Sequence, residues 1–224
     1  MKKIIILLVF ILSSCGIEYD GGTKIVIKGK VVDSDNNPIE NKEINLFVSR
    51  ESYGFPFLFY VPSEENNIGK AITNSMGEYT IVIPKPSNNF SEIIVETNSN
   101  SNNLNRKQFR NIQNSNFINF ELVLPTSVLY KNSDLATLNI NPNNVNPSNE
   151  LRKIEFIGVL PNEFVYFNPI ENELDFIDFN RLVKKNQTII LRYTVFNYIT
   201  NTTIIQDENI VINNSNQINY TLNY

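Results

Sequence analysis

The chain has 224 residues, 19 Lys and Arg against 23 Asp and Glu, a formal charge of −4, no His, no Trp and a single Cys. Without His there is no Ser-His-Asp triad, no Cys-His pair, no His-ligated zinc and no imidazole base. One Cys excludes an intramolecular disulfide and a thiolate cluster. The acidic balance argues against nucleic acid as a partner and against an anionic bilayer met through a basic face.

The first element is a leader. Met1-Lys2-Lys3 is a short basic head, Ile4 to Leu12 is an apolar run, and Ser13-Ser14 are small residues before Cys15. This is the three-part layout of a secretory signal, and the run falls well short of the ~20 apolar residues a spanning helix needs. Leu12-Ser13-Ser14-Cys15 resembles the bacterial lipobox, which implies cleavage after residue 14 and lipidation of Cys15. Each buried CH₂ is worth about 0.8 kcal/mol, so several acyl chains hold where one is marginal. The membrane is therefore an expected partner through Cys15. Losing Lys2 and Lys3 with the leader takes the charge to −6. Residues 15–23 read as a flexible tether. Gly16, rather than Asp, after the Cys points to the outer membrane, and Glu18 and Asp20 resemble the surface-export tags of Bacteroidota lipoproteins, so the cell surface is expected over the periplasmic face.

From residue 24 to 125, short runs of Val, Ile, Thr, Phe and Tyr are separated by Asn, Pro, Gly and Ser, the pattern of a sandwich domain. Strands are expected near 24–32, 42–50, 69–73, 78–83, 91–97, 106–112 and 117–124. Asp33-Ser34-Asp35-Asn36-Asn37-Pro38 reads as a turn. A calcium loop is the weaker alternative, because Pro38 stands where such a loop needs Gly and Ile44 where it needs Glu. Gly29-Lys30-Val31-Val32-Asp33, Asn37-Pro38-Ile39 and Thr73-Asn74-Ser75-Met76-Gly77-Glu78-Tyr79 together resemble the carboxypeptidase regulatory-like family. That resemblance covers residues 25 to 124 and implies a transthyretin-like sandwich, an interaction module without catalytic residues.

Between the second and third strands lies Tyr53-Gly54-Phe55-Pro56-Phe57-Leu58-Phe59-Tyr60-Val61-Pro62. In extended form Tyr53, Phe55, Phe57 and Phe59 line one edge. Three readings stay open: cover for the domain's own core, a contact surface for a protein partner that includes Tyr60, or a segment dipping into the membrane.

Residues 126–224 restart the strand pattern and read as a second, immunoglobulin-like sandwich, with strands expected near 128–130, 135–140, 151–159, 164–167, 174–179, 188–198, 203–212 and 217–222. Asn141 to Asn149, with Pro142 and Pro147, is expected to be a long surface loop. Thr188 to Ile205 reads as a long hairpin, and Ile218, Tyr220 and Leu222 alternate on a closing strand. Glu171, Glu173, Asp175 and Asp178 read as a solvated acidic face; a carboxylate-only hydrolase is the remote alternative. Neither Gly-x-x-x-x-Gly-Lys nor Gly-x-Gly-x-x-Gly occurs, so no cofactor is expected.

The sequence thus points to an all-β protein of two tandem β-sandwiches behind a cleaved signal, not an enzyme. Its expected role is an accessory or scaffold subunit of an envelope assembly, docked on an outer-membrane β-barrel. The alternative is a glycan-binding surface lipoprotein.

Overall fold

A computed structural model describes residues 16–55, 59–61, 63–87, 90–97, 103–168 and 179–224. Cys15 and the leader, Phe57, the side chains of Tyr53 to Pro62, and the Glu171 to Asp178 cluster lie outside the described residues. The protein is all-β. In chain order the strands are β1 (Tyr19–Asp33), β2 (Glu43–Arg50), β3 (Tyr53–Phe55), β4 (Phe59–Val61), β5 (Glu64–Ile72), β6 (Glu78–Pro86), β7 (Glu92–Thr97), β8 (Lys107–Ile112), β9 (Glu121–Val123), β10 (Ser127–Leu129), β11 (Leu135–Asn143), β12 (Asn149–Ile157), β13 (Phe164–Tyr166), β14 (Asn180–Lys184), β15 (Gln187–Asn197), β16 (Thr202–Ile212) and β17 (Gln217–Asn223). Among the described residues no helix is long and apolar enough to cross a membrane.

The chain divides into two compact units. The first holds the chain through Asn98, Arg106–Ser127 and Phe164–Pro169; the second holds Ser99–Asn105, Val128–Glu163 and Ile170–Tyr224.

In the first unit, β1 pairs antiparallel with β6 and parallel with β9, with Ile25 opposite Ile83, Ile27 opposite Ile81 and Gly29 opposite Tyr79. β1 buries Ile25, Ile27, Val31 and Val32, and β6 buries Tyr79, Ile81 and Ile83, the alternation that one core-facing side of a sheet requires. A second sheet runs in the order β13-β8-β7-β2-β5. Its β2 buries Ile44, Leu46 and Val48, and its neighbours bury Ile93, Val95, Phe109 and Ile112. The two sheets meet closely at β5: a Cβ on Gly69 would lie 2.8 Å from Ile81 Cγ2 and 3.0 Å from Ile83 Cγ2, so a side chain there would have to displace core atoms.

The turns that set this register follow local chemistry. Asp33 Oδ1 accepts the backbone N–H groups of Asp35 and Asn37, at 2.8 and 2.9 Å, which closes, as an Asx turn, the turn that sets Val32 against Pro38. Asn74 Oδ1 does the same for Met76 and Glu78, both at 2.9 Å, so Asn serves this turn as Asp would.

The second unit has two three-stranded sheets, β14-β11-β17 and β12-β15-β16. One buried cluster joins them: Leu138 and Ile140 of β11, Val183 of β14, Ile189, Leu191, Tyr193 and Val195 of β15, Ile210 and Ile212 of β16, and Leu222 of β17. The expected hairpin is β15 and β16, paired without a register shift from Gln187–Ile212 to Asn197–Thr202.

Three expectations are corrected. Residues 16–23 are not a free tether: Ile17 is buried, Ser87 N donates to Glu18 O, and Tyr19 and Asp20 already pair with Pro86 and Lys85. Asn141 to Asn143 are not loop but pair with Thr221 to Asn223. Among the described residues, β11 beyond Ile140 pairs with β17 alone, a setting in which a proline without N–H is tolerated, and the amide pairs Asn139–Asn219 and Asn143–Asn223 brace it. Residues 164–169, expected in the second domain, belong to the first unit. β13 adds a parallel strand to β8, with Phe164 opposite Gln108 and Tyr166 opposite Arg110. It is pinned by Asn168 Nδ2, which donates to Asn111 O and Asn116 Oδ1 at 2.9 Å, and by the Phe109–Phe167 edge contact.

Candidate functional site

β2 places Ile44, Leu46, Val48 and Arg50 on one buried face, so a guanidinium ends an otherwise apolar row. Arg50 is 5 % exposed. Its Nη1 donates to the Gly16 carbonyl and its Nη2 to Glu64 Oε2, each at 3.1 Å. Arg50 and Glu64 also face each other in the β2–β5 register. The chain between them is the aromatic insertion. One buried cation therefore ties the first described residue of the chain to the root of that insertion.

The insertion is a hairpin. β3 and β4 pair antiparallel, Tyr53 with Val61, Gly54 with Tyr60 and Phe55 with Phe59. The expected single extended edge is thus replaced by two short strands; Pro56, between them in sequence, has no N–H with which to continue a ladder.

Beside the root, an open cavity of about 250 Å³ is lined by Glu51, Glu64, Glu65, Glu92, Arg50 and Arg110 among others. Glu92 bridges Arg110 and the Asn111 N–H, and Glu64 is held by Arg50. Four carboxylates against two guanidinium groups make an acidic rim that favours a basic partner surface.

The contributions of Arg50, Glu64, Glu92 and Arg110 are not apparent from local composition. For Arg50 a signal does exist: it stands in phase with Ile44, Leu46 and Val48, two residues apart each time, where a solvated charge would break the pattern. β13 adds a further feature, the exposed rings of Phe164 and Tyr166, 6.5 Å apart, with the Arg106 guanidinium 5.9 Å from the Phe164 ring centre.

In the second unit, Glu208 accepts hydrogen bonds from two phenols, Tyr193 Oη at 3.1 Å and Tyr220 Oη. Burial, then the bond to Glu208, pushes the Tyr193 phenol up to about 12; for Tyr220 the bond to Glu208 comes first, then burial, and the result is again about 12. A folded pKa raised above the ordinary 10.0 means the native state holds its protons longer than the unfolded chain. The stabilisation is complete below pH 10 and is lost as pH rises towards about 12. Tyrosinate absorbance should therefore show a late-ionising class that loses two phenols in Tyr193→Phe/Tyr220→Phe, while the Tyr79 and Tyr19 phenols, also pushed up by burial, stay in it. A single ordinary tyrosine transition in the parent chain would contradict this.

No family model matches the sequence, and no curated protein matches it. Similar solved structures include a 9R-lipoxygenase from Cyanothece (12% identity over 57% of this chain and 20% of that chain, TM-score 0.29). They also include the Bacillus anthracis TIE protein (12%, 90% of this chain, 34% of that chain, TM-score 0.31) and the shaft pilin SpaA from Lactobacillus rhamnosus GG (10%, 89% and 97%, TM-score 0.33). The chain spans only a fifth and a third of the length of the first two. At these scores the likenesses assign no function to it.

Proposed function

We propose that this protein is a lipid-anchored envelope protein that works by contact and not by catalysis, as an accessory subunit held at the outer membrane through Cys15. Its docking end is the hairpin end of the first unit. The observation that carries this reading is the Arg50 bridge: the Gly16 carbonyl, one residue after the Cys, and Glu64, at the foot of the aromatic hairpin, share one guanidinium. Gly16 and the root of the Tyr53 to Tyr60 hairpin are thereby tied to one side chain, which in this reading sets the anchor near the hairpin, and the acidic rim beside that root suits a basic patch on a partner such as an outer-membrane β-barrel. Mass spectrometry of the membrane-extracted chain is expected to find Cys15 acylated and N-terminal. Crosslinking in native membranes is expected to capture one envelope partner, less so for Phe55→Ala/Phe59→Ala. An unmodified thiol, or recovery of the protein alone at full yield, overturns the proposal.

A second reading has one observation in its favour. The half-exposed rings of Phe164 and Tyr166 at the sheet edge present apolar faces on which a sugar could stack. A glycan array on which Phe164→Ala abolishes the signal would favour it; a blank array dismisses it.

A further inference from the structure

Among the described residues the second unit has four sheet edges, and three of them are blunted or short. β12 carries a bulge between Leu151 and Lys153 and the charges Arg152, Lys153 and Glu155. β14 has five residues, including Arg181 and Lys184. β17 has seven and exposes Gln217, Asn219, Thr221 and Asn223. These are the devices by which sheets avoid adding strands.

β16 is neither short nor bulged. It runs eleven residues with no bulge, Pro or Lys, and it exposes Ile204, Ile205 and Val211 at 46, 64 and 70 %. Its two charges are already engaged. Arg192 grips Asp207 through two hydrogen bonds of 2.8 Å, and Glu208 takes the phenols of Tyr193 and Tyr220. Among the described residues β16 is the terminal strand of its sheet, so its outward N–H and C=O groups face no strand.

The inner face of β16 is divided. Ile210 and Ile212 are buried, while Thr202, Ile204 and Gln206, on the same side by alternation, are exposed. We infer that β16 is the interface of a two-fold dimer of this chain, in which two β16 strands pair antiparallel about Asp207. That register sets the exposed Ile204 of one copy opposite the core residue Ile210 of the other, Thr203 opposite Val211 and Thr202 opposite Ile212. Each apolar overhang is then completed by the partner's core. The two Asp207 carboxylates at the axis each bring their own Arg192. A two-fold closes the assembly, whereas pairing β16 on the bulged, charged β12 of another copy is disfavoured.

The test is the oligomeric state of the full chain carrying Cys15→Ser, so that neither acyl chains nor a disulfide join copies. Light scattering at roughly 100 μM, far above a micromolar Kd, is expected to show a dimer, and Ile204→Lys is expected to raise the Kd at least tenfold. Asp207→Cys in the same background is expected to give a disulfide-linked dimer on mild oxidation, and Lys153→Cys on β12 to give none. A monomeric parent chain overturns the proposal, even where β16 captures some other extended peptide. So does a dimer whose Kd is unchanged by Ile204→Lys. Should Ile204→Lys fail to fold, by circular dichroism, the cysteine pair decides alone: no linkage through residue 207 overturns the proposal.

Discussion

Arg50→Ala is expected to destabilise the first unit by about 2–3 kcal/mol, below the ~3–5 kcal/mol found when the remaining partner of a buried pair has no compensation, because Glu64 keeps a hydrogen bond from Asn66 Nδ2 at 2.6 Å. Arg50 is 5 % exposed and Glu64 28 %. Removing the guanidinium takes one hydrogen bond from the Gly16 carbonyl and one from the Glu64 carboxylate. Arg50→Lys should recover only part of the loss, because one ammonium cannot reproduce the planar fork that reaches both acceptors. Arg50→Leu/Glu64→Leu should lose less than Arg50→Ala, since no charge remains unpaired. Chemical denaturation measures the first loss; proteolysis just after residue 16 should accelerate in parallel as the first residues detach. A loss under about 1 kcal/mol, the size for an exposed pair, would refute the bridge as the tie between the start of the chain and the hairpin root.

How much of this was legible in sequence varies by element. Strands with clean alternation, such as Ile25 to Val31, Tyr79 to Ile83 and Thr188 to Val195, are found where period two places them, because one face of each is core. Asparagine misleads at residues 141 to 143: its turn preference is overridden by parallel pairing with β17 and by amide-to-amide bonds along the ladder. β13 is legible as a strand but not as a strand of the other unit. Its pairing with β8 depends on an open sheet edge more than 50 residues earlier and on the Asn168 bonds, neither of which leaves a local pattern. The same holds for the site. The aromatic run is conspicuous, but its fold into a hairpin and its tie to Gly16 depend on Arg50 and Glu64, which register alone brings together.

Gly77→Ala is the second large effect, expected to cost about 3 kcal/mol or more through backbone strain combined with a steric clash. Gly77 sits at φ +74°, a region that costs an L side chain about 1–2 kcal/mol. An added Cβ would overlap the Val31 carbonyl oxygen and lie 3.3 Å from both Ile39 N and Pro38 Cβ. None of these is the free end of a flexible chain. The Val31 carbonyl accepts from Ile39 N at 3.1 Å, and Val31 N donates to the Gly77 carbonyl at 2.8 Å, so relief of the clash breaks the lock between the two turns. Those turns set β1 against β6, and hence Ile27 against Ile81 in the core. Gly21→Ala is the matched control: no atom lies within 4 Å of its added Cβ, and a change within about 0.5 kcal/mol is expected. Denaturation of the two variants side by side separates the claims. If Gly77→Ala cost no more than Gly21→Ala, the turn would not be what holds β1 and β6 in register.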